Sequence, residues 1–494
     1  MTRVHRIHPA DGVAVAIDII RAGDSIDVCG ARITARSGMP PGHKIALIDI
    51  PAGSNVIKYG HPIGAAAADI RAGEHVHTHN LKTSLREREV YSFVPRQSAP
   101  EPIEPGFFNG FLRSGGGVGV RNEIWIVPTV GCVNSIGEAA ARAARGLTRG
   151  SVGGVYCFPH PYGCSQLGDD HENTKKILLG LIRHPNAGGA LILGLGCENN
   201  GADGIRTALG DYDETRIKFL NCQDVGDELV AAGEFVNELI ETAASDVREK
   251  VPVSKLTVGL KCGGSDGLSG ITANPLAGSF TDRLVAEGGS AILTEVPEMF
   301  GAETILMSRC ANEETFDKTV SLINDFKKYF TGLGLPVYEN PSPGNKDGGI
   351  TTLEEKALGC TQKAGSAAVN GVLAYGEAIR GGGLHLLNSP GNDLVASTAL
   401  AASGAQLILF TTGRGTPLGA PAPVIKISSN TALYSKKFNW IDFDAGPLAG
   451  GVSIDEMTDA LYSYVLRVAS GAEQTKTERN GIRDMAVWKN GVTL

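Results

Sequence analysis

In the stretch AGEHVHTHN, residues 72–80, His75, His77 and His79 stand at alternate positions in a chain with only eleven histidines. Alternation is the period of a strand, so an extended segment points all three rings to one side. Imidazoles converging in this way bind a metal or move protons. The plainer alternative is a solvated edge strand, but three in register argue for function.

Other reactive side chains follow short apolar runs. Cys132 comes after IWIVPTV, and His160 and Cys164 lie in PHPYGCSQLGDDHEN, where Asp170 reads as a helix N-cap. Cys197 and Glu198 sit in LGLGCENN, which does not complete GxGxxG and so is a poor dinucleotide loop. Thiolate, imidazole and carboxylate suit a borderline divalent ion, which makes Cys132, His160, Cys197 and Glu198 the expected metal set. The glycine-rich LKCGGSDGLSGITANP crowds Lys261, Cys262, Ser265 and Asp266 into a loop that can admit an anion. Lys346 stands in ENPSPGNKDGGITTLEEKALGC, ahead of a helix whose capping box starts at Thr351 or Thr352. Arg414, between glycines in FTTGRGTP, can clamp a carboxylate bidentately; a salt-bridged turn is the even alternative. Lys261, Ser265, Asp266, Lys346 and Arg414 are thus the expected grip on an anionic substrate, with His160 and Lys261 also counted as catalytic.

No GxxxxGK[ST] or HExxH occurs, and no GxSxG nucleophile elbow of a serine hydrolase is read. The pool that remains fits metal-assisted chemistry on a carboxylate. A proton α to a carboxylate is very weakly acidic, so removing it requires strong positive charge to hold the dianion. A second group then protonates a departing 3-hydroxyl, and the enol becomes a 2-keto-3-deoxy acid.

These side chains need a scaffold. The 494 residues predict two or three domains. Residues 1–80 read as short strands such as GVAVAID, HKIALIDI and NVIKYG, with no long helical pattern. Residues 81–110 mix charge, Pro and Gly and read as a flexible linker that allows lid-like closure. From about residue 120, strands alternate with helix-length segments, which predicts an α/β, doubly wound parallel sheet with ligands beyond the carboxyl ends of its strands. A net charge of −8 without a basic cluster argues against nucleic acid. No apolar run is long enough for a membrane span and no signal peptide is read, so a cytoplasmic location is expected. The nine cysteines (29, 132, 157, 164, 197, 222, 262, 310 and 360) are odd in number, widely spaced and without CxxC, against both a disulfide framework and a zinc ribbon.

NVIKYGHPIGAAAADIRAGEHVHTHN, YGCSQLGDDH, LGLGCENN, CGGSDGLSGITANP, ENPSPGNKDGGITTLEEKALGCTQKAG, FTTGRGTP and the terminal NGVTL together resemble the altronate/galactarate dehydratase family over nearly the whole chain. The resemblance implies a β-clip (SAF-like) domain over 1–80, a linker over 81–110, a dimerising middle α/β region over 111–250 and a Rossmann-like domain over 251–494. It also implies dehydration of D-altronate to 2-dehydro-3-deoxy-D-gluconate in hexuronate breakdown, with Fe(II) or Mn(II), in a homodimer. The histidine row favours the altronate over the galactarate type, and as a subfamily feature that the β-clip presents to the active site it implies His77 or His79 as an acid/base group or a metal ligand. Dehydration of galactarate or another sugar acid is the runner-up. An iron–sulfur hydro-lyase, which the wide cysteine spacing disfavours, and a sugar-acid binding protein are the other readings.

Overall fold

The computed structural model describes residues 3–28, 30–86, 89–95 and 100–493; Cys29 and part of the expected linker lie outside the described residues. The amino-terminal unit is built from strands of two to six residues in small antiparallel sheets. The largest has the order Val4–His5, Val13–Ala16, Lys44–Ala46, His75–Val76. Tight turns at Gly23, Gly42, Gly53 and Gly73, all with positive φ, let such short strands reverse. Val56, Ile63, Ile70, Val76 and Leu81 form one of its cores, and Ala302, Ala357 and Leu358 of the carboxyl-terminal unit complete it.

The histidine row is not one strand. Pairing stops at Val76, and Asn80 turns the chain by accepting from the His77 N–H at 2.9 Å and donating to the His75 carbonyl at 3.0 Å. An Asx-type turn has replaced the extended run that the alternation suggests. The described parts of the 81–110 segment are tied down. Glu354 accepts from the Ser84 N–H at 2.6 Å and the Thr83 hydroxyl at 2.9 Å, and Tyr91 donates to Glu303 at 2.6 Å.

The remainder is α/β. Four parallel strands run in the spatial order Val155–Cys157, Glu123–Pro128, Ala187–Gly194, Ile217–Asn221. A larger parallel sheet has seven, in the order Val369–Leu373, Gly383–Leu387, Ser290–Leu293, Thr257–Cys262, Leu407–Thr412, Val424–Ser428, Phe443–Asp444. The central strands are mostly apolar because both faces are covered, with Glu123, Lys261 and Lys426 as buried charged exceptions. The two sheets share a core in which Trp125, Ile177 and Leu181 meet Leu400, Ile408 and Phe410. His184 and Asn186 hydrogen-bond the Ala405 and Gln406 carbonyls at 3.1 and 3.0 Å.

The chain end returns to the middle unit. Asp170 accepts from the Asn490 and Gly491 amides at 2.9 and 2.8 Å, and Arg483 donates to Glu123 at 2.5 Å. Asp170 is therefore not the helix cap expected of it; the helix Gly168–Ile182 starts after Leu167, and Asp170 lies in its first turn. Among the described residues no helix is long and apolar enough to cross a membrane.

Candidate active site

The turn around Pro343–Asp347 is a hub. Asn345 donates to the Ser265 carbonyl at 2.8 Å, Arg414 to the Gly344 carbonyl at 3.2 Å, and Gly267 N–H to the Gly348 carbonyl at 2.7 Å. From the amino-terminal unit, a ring nitrogen of His43 lies 3.1 Å from the Asp347 carbonyl, and Lys44 donates to the Gly349 carbonyl at 2.7 Å. The close approach requires glycine: a Cβ at Gly267 or Gly349 would overlap the Gly42 carbonyl oxygen. Ser265, Lys346 and Arg414 of the expected grip are thus brought to one place, against the amino-terminal unit.

Below this junction lies a set of buried charges. Lys44 and Lys58 meet the two oxygens of Glu355 at 2.9 and 2.7 Å, and all three side chains are buried. Burial would raise the Glu355 carboxyl, but the two ammoniums hold it down at about 2. Burial brings Lys44 down to about 8; its protons are nonetheless all donated, to Gly349, Thr351 and Glu355, as an ammonium's would be. Lys356 pairs with Glu298 at 2.7 Å, and Lys261 with Glu295 at 2.6 Å and Asp393 at 2.8 Å. Glu295 adopts a left-handed backbone (φ 70°) at the end of its strand, a strained conformation of the kind found at functional sites. Lys363 lies 2.8 Å from the Cys262 sulfur, which is 3.2 Å from that of Cys360. Five buried lysines, Lys44, Lys58, Lys261, Lys356 and Lys363, thus face the four carboxylates of Glu295, Glu298, Glu355 and Asp393.

Above the hub, the rings of His43, His75 and His77 converge, with ligand atoms within 4.8 Å of one another. Nδ1 of His43 is 2.9 Å from Nε2 of His75, and Nδ1 of His77 is 3.3 Å from the Thr351 hydroxyl. Burial, then the neighbouring cationic groups, lowers His75 to about 3 and His77 to about 4. Neutral imidazoles are the form that binds a metal ion. His79 is exposed, its ring 5.6 Å from that of His75.

The expected metal set does not converge. His160 is buried with both ring nitrogens engaged: Nε2 lies 2.8 Å from the Pro128 carbonyl and Nδ1 accepts from the Tyr162 N–H at 3.2 Å. No lone pair is left for a metal or a proton. Glu198 accepts from the Thr129 hydroxyl at 2.5 Å and from the Leu195 and Gly196 amides at 3.2 and 2.7 Å. Cys132 and Cys197 are exposed on nearby loops of the middle unit. Lys261 is buried and ion-paired to Glu295 and Asp393. Asp266 braces its own loop by accepting from Ser269, Ser429 and Asn430, whereas the buried Ser265 hydroxyl has no partner among the described residues. Of the two expected caps, Thr352 accepts from the Glu355 N–H at 3.3 Å; Glu355 itself turns to the lysines instead of closing the box.

Sequence reading missed His43, Lys44, Lys58, Glu295, Glu298, Glu355, Lys356 and Lys363. The one available signal was a lysine inside each of the short apolar strands HKIALIDI and NVIKYG.

Residues 2–84 match the altronate/galactarate dehydratase SAF domain, 110–244 the second domain of D-galactarate dehydratase/altronate hydrolase, and 253–493 the D-galactarate/altronate dehydratase carboxyl-terminal domain. The chain belongs to the altronate/galactarate dehydratase family, and its close relatives are hydro-lyases. It is 54% identical over 494 residues to altronate dehydratase of Bacillus subtilis (strain 168), covering 99% of each chain. Identity to altronate dehydratase of Escherichia coli (strain K12) is 50% over 492 residues, again with 99% coverage of each. The galactarate dehydratase (L-threo-forming) of Escherichia coli (strain K12) is more distant, at 32% over 504 residues, 97% of this chain and 95% of that one.

Proposed function

We propose that this protein is a hydro-lyase that converts D-altronate to 2-dehydro-3-deoxy-D-gluconate, with Fe(II) or Mn(II). One observation carries the mechanism: the His43–His75–His77 cluster abuts the turn bearing Lys346, so a neutral ligand set and an anion grip share one junction. The choice of altronate over galactarate rests on the higher identity to the altronate dehydratases.

His43, His75 and His77 fit a divalent ion, being neutral and convergent, with His43 held by the Asp347 carbonyl and His77 by the Thr351 hydroxyl. The ion would supply Lewis-acid charge to the substrate carboxylate and 2-hydroxyl. Lys346, which makes no ion pair among the described residues, and Arg414 hold the carboxylate end. The free Ser265 hydroxyl orients a substrate hydroxyl. His79, at the open edge, takes the α-proton and delivers it to the departing 3-hydroxyl, so that water is released and the enol remains, while the nearby ion-paired Lys44, Lys58 and Lys356 lower the cost of the dianion. We read the carboxyl-terminal unit as Rossmann-like, because its chain reverses direction between Thr257–Cys262 and Leu407–Thr412, where site residues gather. The free thiols support a reducing, cytoplasmic setting, and the homodimer follows from the family resemblance.

The test is turnover. Protein purified without oxygen, stripped of metal and given Fe(II), Mn(II), Mg(II) or Zn(II), is offered D-altronate and galactarate. Keto-deoxy acid from altronate, with Fe(II) or Mn(II), is expected. Turnover of galactarate alone would move the substrate, and metal-independent turnover would remove the ion.

A further inference from the structure

We propose that Cys132, Cys164 and Cys197 form a site for an iron–sulfur cluster at the carboxyl edge of the middle sheet. The chain leaves Glu123–Pro128 toward one side of that sheet and Ala187–Gly194 toward the other, which opens a crevice at their carboxyl ends. Each of the loops leaving Glu123–Pro128, Val155–Cys157 and Ala187–Gly194 carries one exposed, unpaired cysteine.

The three loops are stitched together beside those cysteines. Gly131 N–H donates to the Tyr162 carbonyl at 2.9 Å, Asn200 N–H to the Gly163 carbonyl at 3.0 Å, and Ser165 N–H to the Asn199 side chain at 3.0 Å. Ser165 holds a left-handed backbone (φ 57°), strain that surrounding contacts must maintain. The buried His160 and Glu198 spend their hydrogen bonds fixing the same loops. A second observation points to a missing occupant. The buried Gln166 Nε2, a donor at this end of the sheet, has no partner among the described residues, and a sulfide is a group it could donate to. Native structures rarely leave such atoms unpaired.

The donor set selects the cofactor. Thiolates suit zinc or iron–sulfur clusters. The sulfurs are not all within 4.8 Å of one another, whereas a tetrahedral zinc with bonds of about 2.3 Å holds its thiolates roughly 3.8 Å apart. A polynuclear group spans the wider set. Gln223 Nε2, 3.7 Å from the Cys197 sulfur, is placed to donate to a bound sulfur and tune its potential. Equal parts of ferrous and ferric iron with sulfide assemble the cluster without net electron transfer. The three thiols release their protons as they bind three irons, leaving one iron without a protein ligand.

The experiment uses the full chain under anaerobic conditions. Ferrous and ferric iron are added with sulfide, the protein is desalted, and iron, acid-labile sulfide and visible charge-transfer absorption are measured. About four irons and four sulfides per chain are expected. Cys132→Ser, Cys164→Ser and Cys197→Ser should each reduce loading to background with unchanged melting, since these thiols are exposed. His77→Ala should load as wild type, which separates this site from the histidine cluster and from the altronate reading. A wild-type chain that retains no sulfide, iron bound without sulfide, or a triple serine variant that loads fully would each overturn the proposal.

Discussion

Lys44 and Glu355 lie 311 positions apart, in different units of the molecule, yet their charged atoms sit 2.9 Å apart in a fully buried contact. Lys58 closes on the second oxygen. Glu355→Gln strands two buried ammoniums and should cost about 3–5 kcal/mol. Chemical denaturation reads the loss, and faster proteolysis within 81–110 should accompany it.

The same carboxylate sets an acid limit. Its folded value of about 2 lies below the ordinary 4.5. The unfolded chain therefore binds the extra proton between those values, and stability falls as pH drops through that window. The contribution is complete above about 4.5 and absent below about 2. Denaturation midpoints should trace this slope in wild type and flatten in Glu355→Gln.

Alanine at His43, His75 or His77 should each lower metal affinity by more than about 100-fold, the upper range for losing even an outer-shell partner. His79→Ala should keep its metal and lose kcat. Metal analysis beside turnover separates the two; full metal in all three cluster variants would refute the ligand assignment.

Arg414→Ala and Lys346→Ala each remove a charged donor worth about 1.5–3 kcal/mol. A rise in KM of roughly 10–100-fold is expected, with a smaller change in kcat. Steady-state kinetics on altronate would show it.

Gly267→Ala should push the Gly42–His43 turn off the hub, because the new methyl overlaps the Gly42 carbonyl. Activity and metal should fall while the carboxyl-terminal unit stays folded. Gly233→Ala, in the helix Glu228–Ala244 with open space around its Cβ, should instead stabilise by about 0.5–1 kcal/mol. Calorimetry on both variants checks the contrast.

Apolar runs located the parallel strands well because both faces of those strands are covered, and glycine-rich loops marked the strand ends. The reactive histidines were visible as a pattern, but the pattern suggested a strand where Asn80 makes a turn. His43, Lys44 and Lys58 could not be assigned, since their partners lie on a loop and helix some three hundred residues away and a single sequence does not record which units dock. His160 and Glu198 misled for a related reason. Side chains rich in lone pairs look like ligands until the backbone groups that consume them are placed. Cys132, Cys164 and Cys197 looked scattered along the chain, yet each follows one strand of a single sheet.

The anchoring of Asn490 and Gly491 on Asp170, and of Arg483 on Glu123, makes the middle unit a late product of synthesis. Those partners are synthesised more than 300 residues after the groups they satisfy. Until then the helix beginning at Gly168 lacks its amide donors, and Glu123 holds a buried charge without its guanidinium. Loss of residues 483–491 would thus be felt some three hundred residues upstream, in the sheet that bears the exposed thiols.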